Sequence, residues 1–302
     1  MKHNAGLMLE GGGMRCAFTV GVLDYFLDRQ VTFPYVSTAS AGALIGSSYI
    51  ARQRERNYQL LEALGKHPDV ISLKRMLKKR ELFSMDLIFD KLANEQFPLD
   101  FSSFLQADSG FIIGTTDIDK GRPLFHDTFT NKEDLLHIIR ASCSLPVLAP
   151  SIDYKGKLLM DGGISDPIPI RPLMKLGLNK HVVVLTRHRG YVKTSSKGNW
   201  FFKYFFRNKP ELVKLLRDRH LRYNETINDL LDMEQSGHVF FIQPEEPLPA
   251  SRIEKSSEKL KLLYQQGYQR AEKNFDALQQ FLEQPIRPSV HESPVPPTIT
   301  TG

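Results

Sequence analysis

The residues of this chain best suited to chemistry are a serine between two alanines, an aspartate before a glycine pair, and a run of three glycines. The serine is Ser40, in "STASAGALIG" (37–46), with Gly42 two places on and Thr38 where a nucleophile turn usually has glycine. Two readings of it are open. Ser40 is either a nucleophile held on a sharp strand-to-helix bend, which demands small neighbours, or a small polar residue filling a tight helix start. The aspartate is Asp161 in "KLLMDGGISDPIP", followed by Gly162 and Gly163. Asp-Gly is a common hairpin signal, but the next residues lead into a proline-rich helix start. That favours a carboxylate fixed at a strand tip.

Gly11, Gly12 and Gly13 lie in "LEGGGMRCAF", between an apolar strand and a helix that Met14 and Arg15 open. Glycine lets successive N–H groups turn toward one point, and a helix start adds partial positive charge there. The anion so held is a phosphate or a developing oxyanion. The spacing nearly matches a dinucleotide fingerprint, with Cys16 in the last small position. A dinucleotide site also needs an acid about 20 residues on, at the end of the next strand. Here that strand ends in Ser37, Thr38, Ala39 and Ser40, which counts against a nucleotide cofactor.

A serine hydroxyl needs a base at neutral pH. None of the nine histidines sits in a glycine-flanked strand tip. His126, His137 and His181 read as surface or element-edge residues, and His220 falls in a basic helical segment. A dyad in which Asp161 takes the proton from Ser40 uses all three glycine turns together. No acidic cluster suggests calcium and no Cys/His spacing suggests zinc, so no metal or cofactor is expected.

The elements that must position these groups follow from apolar periodicity. "GLML" (6–9) and "YVST" (35–38) read as strands, and "MRCAFTVGVLDYFLD" (14–28) and "AGALIGSSYIARQ" as the helices after them. Strand, tight turn and helix, twice over, open a parallel sheet, and neighbouring parallel strands bring their turns to one edge. Helical pieces follow near 57–65 and 86–96, a strand at 111–119, and a helix at 131–143 with Asn131 as its cap. Residues 151–161 form a hairpin turning at Lys155 and Gly156. "HVVVLTR" (181–187) and "HVFFIQ" (238–243) read as central parallel strands buried on both faces, and long helical patterns occupy 209–235 and 251–283. The fold class expected is α/β, a three-layer α/β/α sandwich with a mainly parallel central sheet. Residues 1–283 form one domain, and the proline-rich 284–302 a flexible tail.

Composition sets the outer bounds. The 302 residues are 41% hydrophobic and 25% charged, ordinary for a globular chain. No apolar run approaches the length of a membrane span, and Glu10 interrupts the N-terminal segment before a signal-peptide core forms. Cys16 and Cys143 give no disulfide framework and read as buried thiols. A soluble cytoplasmic protein is expected. The net charge of +6 is uneven, because residues 187–222 hold eleven Lys or Arg against Glu211 and Asp218. Within this block "NWFFKYFFRNK" (199–209) interleaves aromatics with cations. The stretch suits peripheral contact with an anionic membrane, or it is a solvated loop anchored on the core by its aromatics. No nucleic-acid motif accompanies the charge, so nucleic acid is not an expected partner.

"LEGGGMRCAFTVGVLD", "TASAGA", "RASCSLPVLAP" and "MDGGISDPIP", in that order, resemble the patatin-like phospholipases, and most nearly that family's bacterial cytosolic branch. The resemblance runs from about residue 5 to 172 and extends to about 243, where "HLRYNETI" shares the family's look. It implies an α/β fold and hydrolysis of lipid acyl esters by a Ser–Asp dyad without histidine, acting on a phospholipid or another acyl-ester lipid. Ser40 is then the nucleophile, Asp161 the general base, and Gly11, Gly12 and Gly13 the oxyanion loop. Met14 and the basic Arg15 follow that loop, while Thr38, Gly42, Gly162 and Gly163 flank the two catalytic turns. Two positions depart from the family pattern: Cys16 replaces a glycine, and Thr38 replaces the first glycine of the nucleophile turn. The alternatives are an acyltransferase or short-chain esterase on the same site, and a non-catalytic phosphate- or nucleotide-binding module.

Overall fold

Short apolar runs alternate two sets of side chains along each strand, and the structure sends the two sets to opposite faces of one sheet. The computed structural model describes residues 4–70, 72, 75–76, 81–195 and 199–284. Its strands are β1 (Ala5–Leu9), β2 (Tyr35–Ala39), β3 (Gly110–Asp117), β4 (Arg122–His126), β5 (Ile152–Tyr154), β6 (Lys157–Asp161), β7 (Lys180–Val184) and β8 (Val239–Ile242). β3, β2, β1, β7 and β8 pair in parallel in that order. β4, β6 and β5 add an antiparallel wing around β3.

On one face Leu7, Leu9, Phe111, Ile113, Val182 and Val184 join the larger core cluster. On the other, Met8, Ile112 and Val183 meet Ile170, Leu173 and Tyr223. Helices cover both faces, giving the three-layer α/β fold. Helix α1 (Ala17–Asp28) and helix α2 (Ala41–Ile50) follow β1 and β2 on the larger cluster's side. The Lys132–Ser142 helix starts as expected, with Asn131 Oδ1 accepting the Asp134 N–H at 2.8 Å. The β5–β6 turn places Lys155 at φ 52° and Gly156 at φ 73°, the left-handed pair that a two-residue hairpin requires.

The structure corrects four local expectations. β8 ends the sheet rather than lying within it, and Phe240 and Phe241 are half-buried. The pattern at 251–283 is two helices, Ser257–Lys273 and Phe275–Glu283, joined at Asn274. His181 is buried in β7 rather than at an edge, and burial pulls its imidazole down to about 4. Cys143 is partly exposed as a residue, while Cys16 is buried. The proline-rich segment, from 285 on, lies outside the described residues. Among the described residues no helix is long and apolar enough to cross a membrane.

Candidate active site

β3 acts as a ruler for the two turns that matter. Its residues 113–117 pair with β4 along one edge. Along the other edge β2 pairs only as far as Gly114, through Ala39, and β6 takes over at Thr115, through Asp161. β2 and β6 therefore run toward each other and meet end to end on one strand. The residue after Ala39 and the last residue of β6 must fall side by side. They do: Ser40 Oγ donates a 2.6 Å hydrogen bond to Asp161 Oδ2, across 121 residues of sequence.

Ser40 sits at φ 58°, ψ −139°, a backbone state that costs a non-glycine residue about 1–3 kcal/mol and persists only where neighbours hold it. Its N–H donates to Ser142 Oγ at 2.8 Å, and Ser142 Oγ donates to the Gly114 carbonyl at 2.7 Å. The Ser40 carbonyl accepts from Ala43 N at 2.8 Å as α2 begins. Asp161 is 1% exposed. Its Oδ1 accepts from Gly163 N at 2.8 Å, its N–H donates to the Ser144 carbonyl at 2.9 Å, and its carbonyl accepts from Thr116 Oγ1 at 2.8 Å. Burial raises the carboxyl above the usual carboxylate range, against the opposing pull of the Ser40 hydroxyl, Arg219, the Gly163 N–H and Arg252.

The glycines flanking these turns are there because nothing larger fits. A Cβ on Gly11 would stand 2.7 Å from Ser40 Cβ and 2.8 Å from the Ala39 carbonyl oxygen. The loop thus presses directly on the serine turn. A Cβ on Gly162 would meet the Gly114 carbonyl at 2.2 Å, Gly163 lies against Asp161 Oδ1, and Gly12 packs on Thr186. Gly13, at φ 59°, lies against the Arg252 carbonyl, which also accepts the Met14 N–H at 3.1 Å. That amide is occupied and is not available to a bound anion. Arg15 is buried behind the loop at 4% exposure, with Nε lacking a partner among the described residues.

Both departures from the family pattern have local partners. Thr38 Oγ1 donates to the Leu9 carbonyl at 3.1 Å, and a Cβ on Gly42 would fall 2.1 Å from Thr38 Oγ1. Thr38 therefore staples β2 to β1, and Gly42 leaves the room. Cys16 donates to the Glu10 carbonyl at 3.7 Å, and burial pushes its thiol up to about 12, away from the thiolate form.

A cavity of about 380 Å³ opens onto Ser40 and Asp161. Gly13, Met14 and Cys16 represent the loop on its wall, and Leu44, Leu60, Leu64, Met85, Ile88 and Phe89 supply much of its apolar lining. Lys193, Arg219 and Arg252 supply cations, and His220 is also on the wall, its Nδ1 3.0 Å from the Arg217 carbonyl oxygen. Ser142, Arg219 and Arg252 were not singled out by sequence reasoning. Ser142 stood in the quoted "RASCSLPVLAP" without a role, and nothing local marks the two arginines. Among the described residues no group of three His, Cys, Asp or Glu side chains stands close enough to hold a metal ion.

The patatin-like phospholipase family model matches residues 7–174, more than half of the chain, and the chain belongs to that family. A second model, a domain of unknown function (DUF6363), matches residues 209–283. An uncharacterized protein YjjU of Escherichia coli is 30% identical over 185 residues, covering 60% of this chain and 51% of its own. Lysophospholipase NTE1 of Lodderomyces elongisporus is 24% identical over 266 residues, covering 79% and 17%. An uncharacterized NTE family protein of Mycobacterium tuberculosis is 24% identical over 192 residues, covering 61% and 49%. The chain thus spans about half or less of the length of these relatives. Among solved structures it is similar to VipD from Legionella pneumophila, at 14% identity and a TM-score of 0.46, over 92% of this chain and 67% of that one.

Proposed function

We propose that this chain is a lipid acyl hydrolase of the phospholipase A or lysophospholipase type, with Ser40 as nucleophile and Asp161 as its only base. The observation that carries this reading is the 2.6 Å bond from a strained serine to a buried carboxylate at the mouth of an apolar cavity. Asp161 takes the hydroxyl proton as Ser40 Oγ attacks the ester carbonyl carbon. The carbonyl oxygen becomes an oxyanion, held by N–H groups of Gly11, Gly12 and Gly13; each aimed donor lowers the barrier by about 3 kcal/mol. The intermediate collapses, the ester C–O bond breaks, and the departing alcohol takes the proton from Asp161. Water then gives its proton to Asp161 and attacks the acyl-serine, and the fatty acid leaves as Ser40 regains its hydrogen. Lysophospholipase NTE1 is named for this class of reaction, which agrees with the site.

In this reading residues 1–283 work as one catalytic unit in the cytoplasm, touching membrane only peripherally through 187–222. Trp200 and Tyr204 stand 73% and 72% exposed on the Asn199–Phe205 helix, as a membrane-facing element would. A fluorophosphonate probe tests the nucleophile: it labels the native chain and not Ser40→Ala. A panel of long-chain phospholipids, lysophospholipids and short-chain esters then ranks the substrates. Labelling that survives in Ser40→Ala overturns the assignment.

A further inference from the structure

Five cations lie on the cavity wall or close behind it, and none of them has a carboxylate within 4.0 Å among the described residues. Lys193, Arg219 and Arg252 are on the wall itself. The charges of Arg187 and Arg252 are felt by both Lys193 and the buried Arg15, and Glu10 is the acid that opposes them. The arrangement is built rather than incidental. Asn224 clamps the Lys193 backbone, its Oδ1 accepting the N–H at 2.9 Å and its Nδ2 donating to the carbonyl at 3.0 Å. The Lys193 ammonium lies 4.9 Å from the centre of the Tyr223 ring. Arg219 Nε donates to the Gly163 carbonyl, beside the catalytic carboxylate. The Arg252 carbonyl fixes the glycine loop through Met14 N, and its side chain has no hydrogen bond or ion pair of its own among the described residues. The charges are crowded. Burial, then Arg219, Arg252 and Arg187, pull the Lys193 ammonium down to about 7.

Such crowding is costly unless an anion arrives. Among the described residues the cavity wall carries one carboxylate, Asp161, which Ser40 already occupies. A zwitterionic headgroup would find partners for its phosphate but no free carboxylate for its cation among the described wall residues. We propose that Lys193, Arg219 and Arg252 form a subsite for the phosphate of a net-anionic glycerophospholipid headgroup, and that supplying it is the role of residues 209–283. Two of the three cations come from that region, and a third is held in place by its Asn224 and Tyr223. The proposal rests on the acyl-hydrolase reading, because it seats the phosphate beside the ester that Ser40 attacks.

The test uses monomeric short-chain lysolipids of one acyl chain, so that surface charge plays no part. They carry a phosphoglycerol head, a phosphocholine head, or no phosphate. The native chain is expected to favour phosphoglycerol in kcat/KM by about ten-fold or more. Arg252→Gln should shrink that ratio by about ten-fold, and Arg252→Lys should restore part of it. Equal kcat/KM on the three heads, or a ratio that Arg252→Gln leaves alone, overturns the subsite. A separate arm needs no turnover: calorimetry of Ser40→Ala with glycerophosphoglycerol, glycerol and inorganic phosphate. Glycerophosphoglycerol is expected to bind tightest and to lose about ten-fold in Ser40→Ala/Arg252→Gln. Absence of binding, or inorganic phosphate binding as tightly, overturns the headgroup assignment. If this arm succeeds while no lysolipid is hydrolysed, the subsite stands and the hydrolase reading falls.

Discussion

Ser40 and Asp161 each occupy a state that an isolated residue avoids, one through its backbone and the other through its solvation. Ser40→Ala should abolish ester turnover, and Asp161→Asn should lower kcat by a thousand-fold or more. The second change also has a thermodynamic sign. The Asp161 carboxyl is raised above its unfolded value of 3.8, chiefly by burial. The folded state then binds its proton more tightly, so stability is fully present below 3.8 and falls as pH rises through the raised value. Once ionised, the buried carboxylate is a burden, and above the raised value Asp161→Asn should match or exceed the native Tm in calorimetry. The same shift moves the acid limb of kcat/KM above the ordinary carboxylate range, since only ionised Asp161 accepts a proton. Both residues are legible in the sequence because their glycines are contiguous with them. Ser142, which accepts the Ser40 N–H from 102 positions away, is not, because a hydroxyl in the last turn of an amphipathic helix has many uses.

At the scale of elements, the two glycine contacts that let α1 meet the Ser257–Lys273 helix are the tightest crossing in the fold. A Cβ on Gly21 would lie 2.0 Å from the Tyr264 carbonyl oxygen, and one on Gly267 1.9 Å from that of Phe18. Gly267→Ala must force the helices apart and should cost about 3 kcal/mol or more in urea denaturation. Gly42→Ala should cost about 2 kcal/mol, and Thr38→Gly in the same chain should recover part of it, a coupling that a double-mutant cycle measures. Periodicity exposed the strands and most helices, because half of each strand's side chains and one stripe of each helix must leave water. It did not separate β8 from a central strand, since "VFFI" is apolar whether or not a further strand pairs beyond it. It also ran through Asn274, whose neighbours keep helical spacing on both sides.

For the molecule as a whole, charge is the organising quantity. Lys203 and Arg207 are exposed beside Trp200 and Tyr204, whereas Lys209 is paired with Asp119. Reversing Lys203 and Arg207 to Glu should weaken sedimentation with phosphatidylglycerol vesicles, by about 1 kcal/mol per cation removed near the surface. Added salt should reduce what binding remains. Unchanged sedimentation makes the block an ordinary solvated face. Counting residues revealed this basic block. It could not reveal that Arg219 turns back to the cavity, because that depends on how a long helix lies across the Gly163 turn. The end-to-end meeting of β2 and β6 on β3 carries a consequence for heat inactivation. Ala39, which carries Ser40, and Asp161 are registered to adjacent residues of one interior strand, with no hinge between them. Catalytic power and the cooperative melt should therefore vanish over one temperature interval, without the early inactivation typical of sites assembled from independent lobes.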